Sequence, residues 1–542
     1  MDQSVQSVDG ISQLPDHVIH HILSQLHNVN DAIRTSVLSK RWRSLWHSYP
    51  VLVFYERKFT AGIRRGNSCN EGESFIDYVS NCLQTRLEKN LDIQKLVLHM
   101  TSFDLKAARH VDHWLSVAGG SSIKELDLHF GVENNRRYSL PETVLQSKTL
   151  TGIRLSCCKL EPRNKIMLPH LRKLCLQKIS LNEDIVQNLI SGCHSIEDLR
   201  LIQCSCLRHL QVSSLVRLNR VDIHHCKQLI MVSLTAPNLH TFWYRGKKSI
   251  PCQVYLEGCN SLRRLTLDHP QVTRDFCKNK ISEFRLLENL DLSLPDKMKH
   301  VTISNPRLRR LVLKGSNKLS SILIDTPNLL SFEYKGESMP FIHIDPFCLR
   351  DATLSLQSKR QDIVYGDKFW FLVREFIEKF DSKGFKLVLQ SSKNIAIHED
   401  LTNINLPPLP DLSIKIFKSP SECVENVVYG SLRTHPVLLT IISPPDSYFP
   451  KLVYGVIKIR DKDPICCRYS SPNNKCWRHF LKDVKVENMN GVDFGSDENE
   501  RCHTCTWTTW FKSSYASMSC QTANLRLYWN SLQHDMETEE TL

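Results

Sequence analysis

Cysteine and histidine residues near the C-terminus have the types and spacing closest to a chemical site. Cys502-His503-x-Cys505 supplies two thiols and an imidazole within four residues. Three further cysteines lie upstream, at Cys466, Cys467 and Cys476. Structural zinc sites use such ligands, but they normally bring together two couples at tighter spacing than this chain offers. The sequence therefore predicts no metal site and no cofactor.

The sequence patterns of common catalytic sites are absent from the chain. It contains no phosphate-binding loop, no G-x-S-x-G elbow, no H-E-x-x-H and no kinase-like set. A catalytic cysteine would need a supporting site, and the sequence offers none. The paired histidines His20-His21 and His224-His225 are typical of surface residues. The chain is therefore predicted not to be an enzyme, with no catalytic residue.

The composition is that of an ordinary folded protein. The chain has 542 residues, of which 41% are hydrophobic and 23% are charged. No apolar run approaches the roughly 20 residues that cross a bilayer, and the N-terminal segment lacks the features of a secretory signal. The 20 cysteines are scattered, and no Asn-x-Ser/Thr acceptor is present. We expect a reducing compartment, the nucleus or cytoplasm, with cysteine acting as a small buried hydrophobe.

The net charge of +13 allows an acidic partner, a phosphorylated ligand or nucleic acid. Basic residues occur as scattered pairs, at Arg136-Arg137, Lys247-Lys248, Arg263-Arg264 and Arg309-Arg310. A pair of this kind is typical of a solvated face. Since no long basic run is interleaved with aromatic residues, neither nucleic acid nor membrane is an expected partner.

The stretch over residues 14–46 is predicted to form a small bundle of short helices. Pro15 fits a first helical turn, and apolar residues follow it at helical spacing. Asn30 or Asp31 and then Ser39 are candidate N-caps for a second and a third helix. A module of about forty residues buries too little surface to enclose its aliphatic residues and two tryptophans. Leftover apolar surface of this kind favours a docking site.

The same stretch resembles the plant F-box pattern along its whole length. The matching segments are Leu14-Pro15-Asp16, Ile22-Leu23-Ser24-x-Leu26, Thr35-Ser36-Val37-Leu38-Ser39 and Lys40-Arg41-Trp42-Arg43-x-Leu45-Trp46. The F-box family binds a Skp-type adaptor, which links a substrate-recognition domain to a cullin-RING ubiquitin ligase. The resemblance implies an F-box over residues 8–50 with an apolar adaptor-binding set. That set is Leu14, Pro15, Ile19, Ile22, Leu26, Val37, Trp42 and Leu45.

After about residue 93 one six-residue pattern recurs. It has an apolar residue at its first, fourth and sixth positions. Its strong copies begin at Ile93, Ile123, Leu171, Ile196, Leu218, Leu239, Leu262, Leu287, Leu308 and Leu329. The step is mostly about 21 to 30 residues, the range of leucine-rich repeats. Prolines that would fix the turn into the strand precede several copies, at Pro169, Pro237, Pro306 and Pro327. Each copy is predicted to form a strand and a return segment, stacked into a solenoid.

The plant F-box family often continues into leucine-rich repeats, so the two patterns support each other. The predicted fold class is α/β, a three-helix F-box followed by a leucine-rich-repeat solenoid. Residues 51–90 are predicted to be a connector with a helix from Phe75 to Leu87, and residues 91–400 to be the repeats. Residues 401–500 resemble the FBD-type region, through a strand within residues 475–488. That family's leucine-rich helix and closing strand are not evident afterwards, so residues 501–542 are predicted to be a poorly ordered tail.

Alternation along each repeat strand puts its in-between residue on the solvent side, where a curved solenoid has its concave face. Trp243 beside Arg245 is the strongest candidate contact, because Trp and Arg dominate interface energies. The alternative is that a neighbouring loop covers Trp243. Arg264 and Arg310 lie on nearby copies and would attract an acidic or phosphorylated segment. These four residues form the predicted substrate-binding set.

These patterns predict the substrate-recognition subunit of a Skp-cullin-F-box ubiquitin ligase. The F-box would hold the adaptor, and the repeats would hold an unknown protein substrate. The alternative is a leucine-rich-repeat scaffold outside any ligase that binds acidic protein or RNA. Binding of a Skp-type adaptor discriminates between the two, because the scaffold has no need of it.

Overall fold

The described part of the chain comprises two compact units. A computed structural model describes residues 14–25, 39–59 and 74–358, except 102, 104, 121, 132–136, 248, 316–317 and 346–347. Beyond residue 358 it describes 364–365, 371–373, 375–376, 379, 385–391, 396–397, 411–416, 432, 435–443, 450, 453–454, 457, 480–490 and 521–529. The units are Met1–Leu262 and Arg263–Leu542, and each contains its own parallel strand ladder.

The described residues of the first unit form six helices, some of which begin at a side-chain cap. They are α1 (Asp16–Gln25), α2 (Lys40–Ser48), α3 (Phe75–Glu88), α4 (Leu105–Gly120), α5 (Glu142–Leu145) and α6 (Glu183–Gly192). Ser74 caps α3, since its hydroxyl accepts the amide hydrogen of Asp77 at 3.1 Å and its own amide donates to the Asp77 carboxylate. Asn182 caps α6 by accepting the amide hydrogen of Ile185 at 2.8 Å. The helix predicted from Phe75 is confirmed.

The strands of the first unit form two parallel sheets. They are β1 (Val51–Tyr55), β2 (Lys95–Met100), β3 (Glu125–Phe130), β4 (Gly152–Ser156), β5 (Lys173–Gln177), β6 (Asp198–Ile202), β7 (His209–Val212), β8 (Arg220–His224), β9 (Met231–Thr235), β10 (Thr241–Arg245) and β11 (Gln253–Glu257). The main ladder runs in the order β1-β2-β3-β4-β5-β6-β8-β10. A second sheet of β7, β9 and β11 lies on the return segments.

The repeat pattern explains the ladder and its core. In each repeat the two apolar residues that flank the in-between position are buried, as for Leu199 and Leu201 in β6 and Phe242 and Tyr244 in β10. Paired strands keep these positions in register, so the apolar side chains of successive repeats stack. A single such strand has nothing to cover its apolar face, and stacking supplies the cover. The predicted leucine-rich-repeat solenoid is confirmed.

The prolines before the strands act as predicted. Pro169 and Pro237 each occupy the second position of a turn. The turns close when the amide of Leu171 donates to the Leu168 carbonyl at 3.1 Å and that of Leu239 to Ala236 at 3.2 Å. Proline favours this position because its fixed φ fits the turn.

The second unit repeats the same plan. A π-helical turn (Phe276–Lys280) and α7 (Ile281–Glu283) follow its first strand. Its strands are β12 (Arg264–Asp268), β13 (Asn289–Ser293), β14 (His300–Ser304), β15 (Arg310–Lys314), β16 (Ser321–Asp325), β17 (Ser331–Gly336), β18 (Phe341–Ile344), β19 (Asp351–Ser358), β20 (Val364–Tyr365), β21 (Phe385–Ser391), β22 (Ala396–Ile397), β23 (Asp411–Ile416), β24 (Leu438–Ser443), β25 (Leu481–Asn490) and β26 (Gln521–Trp529). The main ladder runs β12-β13-β15-β17-β19-β21-β23-β24. Two smaller sheets pair β14, β16 and β18, and β20 with β22. From β13 to β22, successive strands alternate between the main ladder and these smaller sheets.

The repeat boundaries differ from the predicted ones at both ends. Residues 51–55 were predicted to be connector, but they form β1, which pairs with β2 along its whole length. The apolar run VLVFY lacks the repeat spacing, so the pattern did not mark it as a strand. The ladder also continues past residue 400, because Leu412 and Ile414 of β23 alternate as the earlier strands do and pair with β21.

The tail prediction is wrong for residues 521–529. These residues form β26, which is antiparallel to both β24 and β25. Ala523, Leu525 and Leu527 alternate along it and are buried, so a period of two orders this segment where no helical period is present. The rest of residues 501–542, with Cys502, His503 and Cys505, lies outside the described residues, as do Cys466, Cys467 and Cys476.

Candidate functional site

The F-box segment has a compact apolar core between α1 and α2. Ile19, Leu23, Trp42, Leu45 and Tyr49 are buried together. The side chains partly buried against this core are Leu14, Ile22 and Val51. Ser39 caps α2 by accepting the amide hydrogen of Trp42 at 3.1 Å, as the sequence predicts.

The predicted adaptor-binding residues therefore fall into two groups. Ile19, Trp42 and Leu45 lie inside the module and support its shape. Leu14 and Ile22 are partly buried and Pro15 is exposed, so these side chains are available to a partner. Leu26 and Val37, like most of the second predicted helix, lie outside the described residues.

Arg41 holds the exposed end of this surface in place. Its guanidinium donates to the Leu14 carbonyl at 2.7 Å and to the Asp16 carboxylate at 2.6 Å. The Pro15 carbonyl accepts amide hydrogens from Val18 and Ile19, which begins α1. The Leu14-Pro15 pair is thus presented in a defined conformation, which reduces the ordering cost of binding.

The F-box is joined to the first repeat without a free linker. The Pro50 carbonyl accepts amide hydrogens from Gln94 and Lys95, at 2.8 and 3.1 Å. Arg86, only 7% exposed, donates from α3 to the carbonyls of Tyr49 (2.6 Å) and Asp92 (3.3 Å). Burial lowers the pKa of Arg86, but an arginine in a protein stays charged. One buried cation therefore connects the end of the F-box to the segment before β2.

The solvent side of the ladder in the first unit is largely paired with itself. Arg200, Asp222 and Trp243 occupy the same position on β6, β8 and β10. Asp222 is 3% exposed because the side chains around it cover it, and its carboxylate accepts from Arg220 at 2.7 Å. Arg200 lies 3.7 Å from Asp222 and 2.6 Å from Asp198. These charges are paired with one another within the protein, although the second Asp222 oxygen, Oδ1, is buried without a hydrogen-bond partner among the described residues.

Trp243 is half-buried. This lies between the two predicted alternatives, a fully exposed contact residue and a side chain covered by a neighbouring loop. Its ring packs edge-on against His224, with 4.5 Å between ring centres, and the Arg245 guanidinium lies 5.9 Å from its centre. The indole N–H is buried and has no acceptor among the described residues. Part of the ring remains available for contact, while the other part stabilises the surface of the ladder.

The His224–Trp243 contact should make the first unit acid-sensitive. Burial lowers the pKa of His224, and the nearby Asp222 opposes this only in part. A folded-state pKa below the unfolded value of about 6.5 gives stability above that value, which is lost as pH falls through the folded pKa. When the pH is lowered from about 7.5 to 5.5, we expect the melting temperature of His224→Gln to fall less than that of the wild type. His194→Gln, at an exposed position, is the control and should behave as wild type; equal acid sensitivity in all three proteins would contradict the assignment.

The predicted arginines of the second unit lie on its ladder face. Arg264 and Arg310 are exposed and begin β12 and β15, in register through Asn289 of β13. Glu333 lies 3.7 Å from Arg310 and 2.8 Å from Lys335. Trp243 and Arg245 belong to the first unit, so the four predicted residues form two pairs, one in each unit.

The cysteines of the described residues are thiols. Burial raises the pKa of Cys193 and of Cys277 to about 12, so these thiols stay protonated and pack as small apolar groups. Within the described ranges no cluster of three or more His, Cys, Asp or Glu side chains could hold a metal ion. A helix both long and apolar enough to span a membrane is likewise missing from that part of the chain.

Comparison with known proteins finds two family models. The F-box domain model matches residues 11–54, and the LRR domain model of At1g61320/AtMIF1 matches residues 86–254. F-box/LRR-repeat protein 25 of Arabidopsis thaliana is 30% identical over 248 residues, which are 45% of this chain and 88% of the relative. The chain belongs to the plant F-box/LRR-repeat family.

Alignments to other proteins of the same plant support the same family. A putative F-box/FBD/LRR-repeat protein is 26% identical over 466 residues, 79% of this chain and 96% of the relative. A putative F-box/LRR-repeat protein is 27% identical over 267 residues, 48% of this chain and 53% of the relative. The FBD-like nature of the C-terminal region in this F-box/LRR-repeat chain stays a prediction.

Proposed function

We propose that this F-box/LRR-repeat protein is the substrate-recognition subunit of a Skp-cullin-F-box ubiquitin ligase. The supporting observation is the F-box surface at Leu14 and Pro15, held in place by Arg41 and attached directly to the first repeat strand. The F-box binds a Skp-type adaptor, and the repeats bind a protein substrate. Ubiquitin transfer is carried out by the other subunits, so the protein is an adaptor and not a catalyst. The proposed location is the nucleus or cytoplasm, where buried free thiols are stable.

Removing the exposed apolar pair should weaken adaptor binding. Leu14→Ala with Pro15→Ala removes side chains at the centre of the proposed contact, and such anchors typically contribute about 2 kcal/mol or more. We expect a roughly thirtyfold weaker affinity for a purified Skp-type adaptor, measured by calorimetry on the full chain. Leu87→Ala, which truncates an exposed leucine on α3 outside the F-box, is the matched control and should bind as wild type.

The single variant Pro15→Ala keeps this test informative if the double variant unfolds. Pro15 is exposed, so its truncation affects a partner more than the core. Adaptor affinity unchanged in both variants would rule out this surface. A wild-type chain that binds no adaptor would favour the alternative, a scaffold outside any ligase.

A further inference from the structure

A basic groove lies along one edge of the first unit's ladder, where the strands begin. It encloses about 360 Å³ and is lined by the segments that lead into β3, β4, β5, β6 and β8. Its basic side chains are Lys124, Lys148, His170, Arg172 and Arg217. The other lining residues are serines and threonines, such as Thr149 and Ser195. No carboxylate lines it, so the groove offers only cations, an imidazole and hydroxyl groups to a ligand.

The acidic residues at or beside the starts of the lining strands have basic partners. Glu125 binds Lys95 at 2.6 Å, and Asp198 binds Arg200 at 2.6 Å. Glu197 lies 3.8 Å from Arg172, with both side chains about half exposed, so this pair is weak. Lys124, Lys148 and Arg217 are exposed and pair with no carboxylate in the described part of the chain. Their charge is therefore available to an anion, unlike the charge on the ladder's face.

The spacing of the cations follows from the ladder. Lys124 and Arg172 stand directly before β3 and β5, which β4 separates, and Arg217 stands three residues before β8, which β6 separates from β5. Neighbouring strands are about 4.8 Å apart, so Lys124 and Arg172 are separated by roughly 10 Å across the strands. Arg217 lies a similar distance further across the strands and is set back by two residues along the chain. An extended peptide advances about 3.3 Å per residue, so three of its residues match one cation interval. The groove from β3 to β8 spans roughly 19 Å, the length of about six residues.

The lining favours a phosphorylated peptide over RNA. Single-stranded nucleic acid binding relies on aromatic side chains on which bases stack. The lining contains no Phe, Tyr or Trp, and His170 is its single ring. Arginine and lysine next to hydroxyl donors are the groups that bind phosphate monoesters by charge-assisted hydrogen bonds.

We infer that this groove binds an extended, phosphorylated segment of the substrate, with phosphate groups about three residues apart. The inference rests on the proposed function, since it assigns the substrate class that the repeats of this ligase subunit recognise. Each phosphate lies against one of the cations that recur along the strand edge, and the hydroxyl groups donate to its oxygens. Phosphorylation of the substrate then controls its capture.

The test uses the full chain and a fluorescent peptide of about eight residues with two phosphoserines three residues apart. The comparison probes are the same peptide without phosphate, one with adjacent phosphoserines, and oligouridylate. Lys124→Glu with Arg217→Glu reverses two groove charges at exposed positions. Arg109→Glu with Lys227→Glu makes the same charge change at exposed positions of the same unit outside the groove.

We expect the wild type and the control variant to bind the spaced phosphopeptide alike, and the groove variant to bind it roughly tenfold more weakly or worse. Equal losses in both variants would show that net charge alone attracts the peptide, and would overturn the site. Tighter binding of oligouridylate, or no preference for the three-residue spacing, would also overturn it. Adaptor affinity is measured on the same proteins. A wild type that binds the adaptor but not the spaced phosphopeptide refutes the groove alone, whereas a wild type that binds the phosphopeptide but no adaptor refutes the proposed function alone.

Discussion

Gly192→Ala is expected to destabilise the first unit by about 3 kcal/mol, the upper range for overpacking. Gly192 ends α6, and a β-carbon there would lie 1.9 Å from the Ile166 carbonyl oxygen. The neighbouring backbone cannot retreat easily, because the Leu168 amide donates to the Gly192 carbonyl at 3.0 Å. The close approach, rather than an unusual φ, is what requires glycine here.

Hydrogen exchange read by mass spectrometry measures this effect locally, which suits a repeat protein whose unfolding is not all-or-none. Residues 166–192 should lose protection in Gly192→Ala. Gly119→Ala is the matched control, since a β-carbon at Gly119 of α4 meets nothing within 4 Å. Helix propensity there favours alanine by about 0.5 to 1 kcal/mol. Protection that survives in Gly192→Ala would mean that α6 can shift away from residues 166–168.

Arg86→Met is expected to loosen the connection between the F-box and the first repeats. Methionine keeps much of the buried volume but removes both hydrogen bonds, to the carbonyls of Tyr49 and Asp92. Hydrogen bonds from a charged donor contribute about 1.5 to 3 kcal/mol each, so the loss is about 3 kcal/mol or more. We expect faster hydrogen exchange in residues 49–55 and 86–95, and a lower melting temperature.

The control for this variant is Arg109→Met, because Arg109 is an exposed arginine on the next helix, α4. It should match the wild type within about 0.5 kcal/mol. Unchanged exchange at residues 49–55 in Arg86→Met would mean that the pairing of β1 with β2 holds the F-box by itself.

Local patterns in the sequence were enough to predict the repeat strands and the Ser39 cap of α2. Leu199 and Leu201 are two residues apart and buried, and this alternation can be read without knowing any neighbour. β1 was missed because VLVFY has no preceding repeat signature, and its strand state depends on pairing with β2. β26 was missed because its partners lie at residues 438–443 and 481–490.

The sites were less predictable, since they depend on contacts between distant repeats. Alternation along the repeat strand predicts the solvent side for every in-between residue, Trp243 and Asp222 included, but it could not show that Asp222 would be covered. The groove escaped notice because Lys124, Arg172 and Arg217 are separated by more than forty residues from one to the next. Lys124 and Arg172 share the position just before a strand, and Arg217 shares an earlier position with His170, so a comparison of repeats, column by column, could have found the cluster.

Because β1 is joined directly to the F-box, the position of a strand in the first unit's ladder determines its distance from the F-box. Each strand adds about 4.8 Å, counted from β1, which is fixed to the F-box at Pro50 and Arg86. A segment held at β3 lies about two strand spacings from β1, and one held at β8 lies about six. Deleting or inserting one whole repeat between β1 and β3 would move a captured segment by one strand spacing without altering the groove that holds it. The number of repeats thus sets the distance between the F-box and the captured segment, and this distance can change while the residues that recognise the segment stay the same.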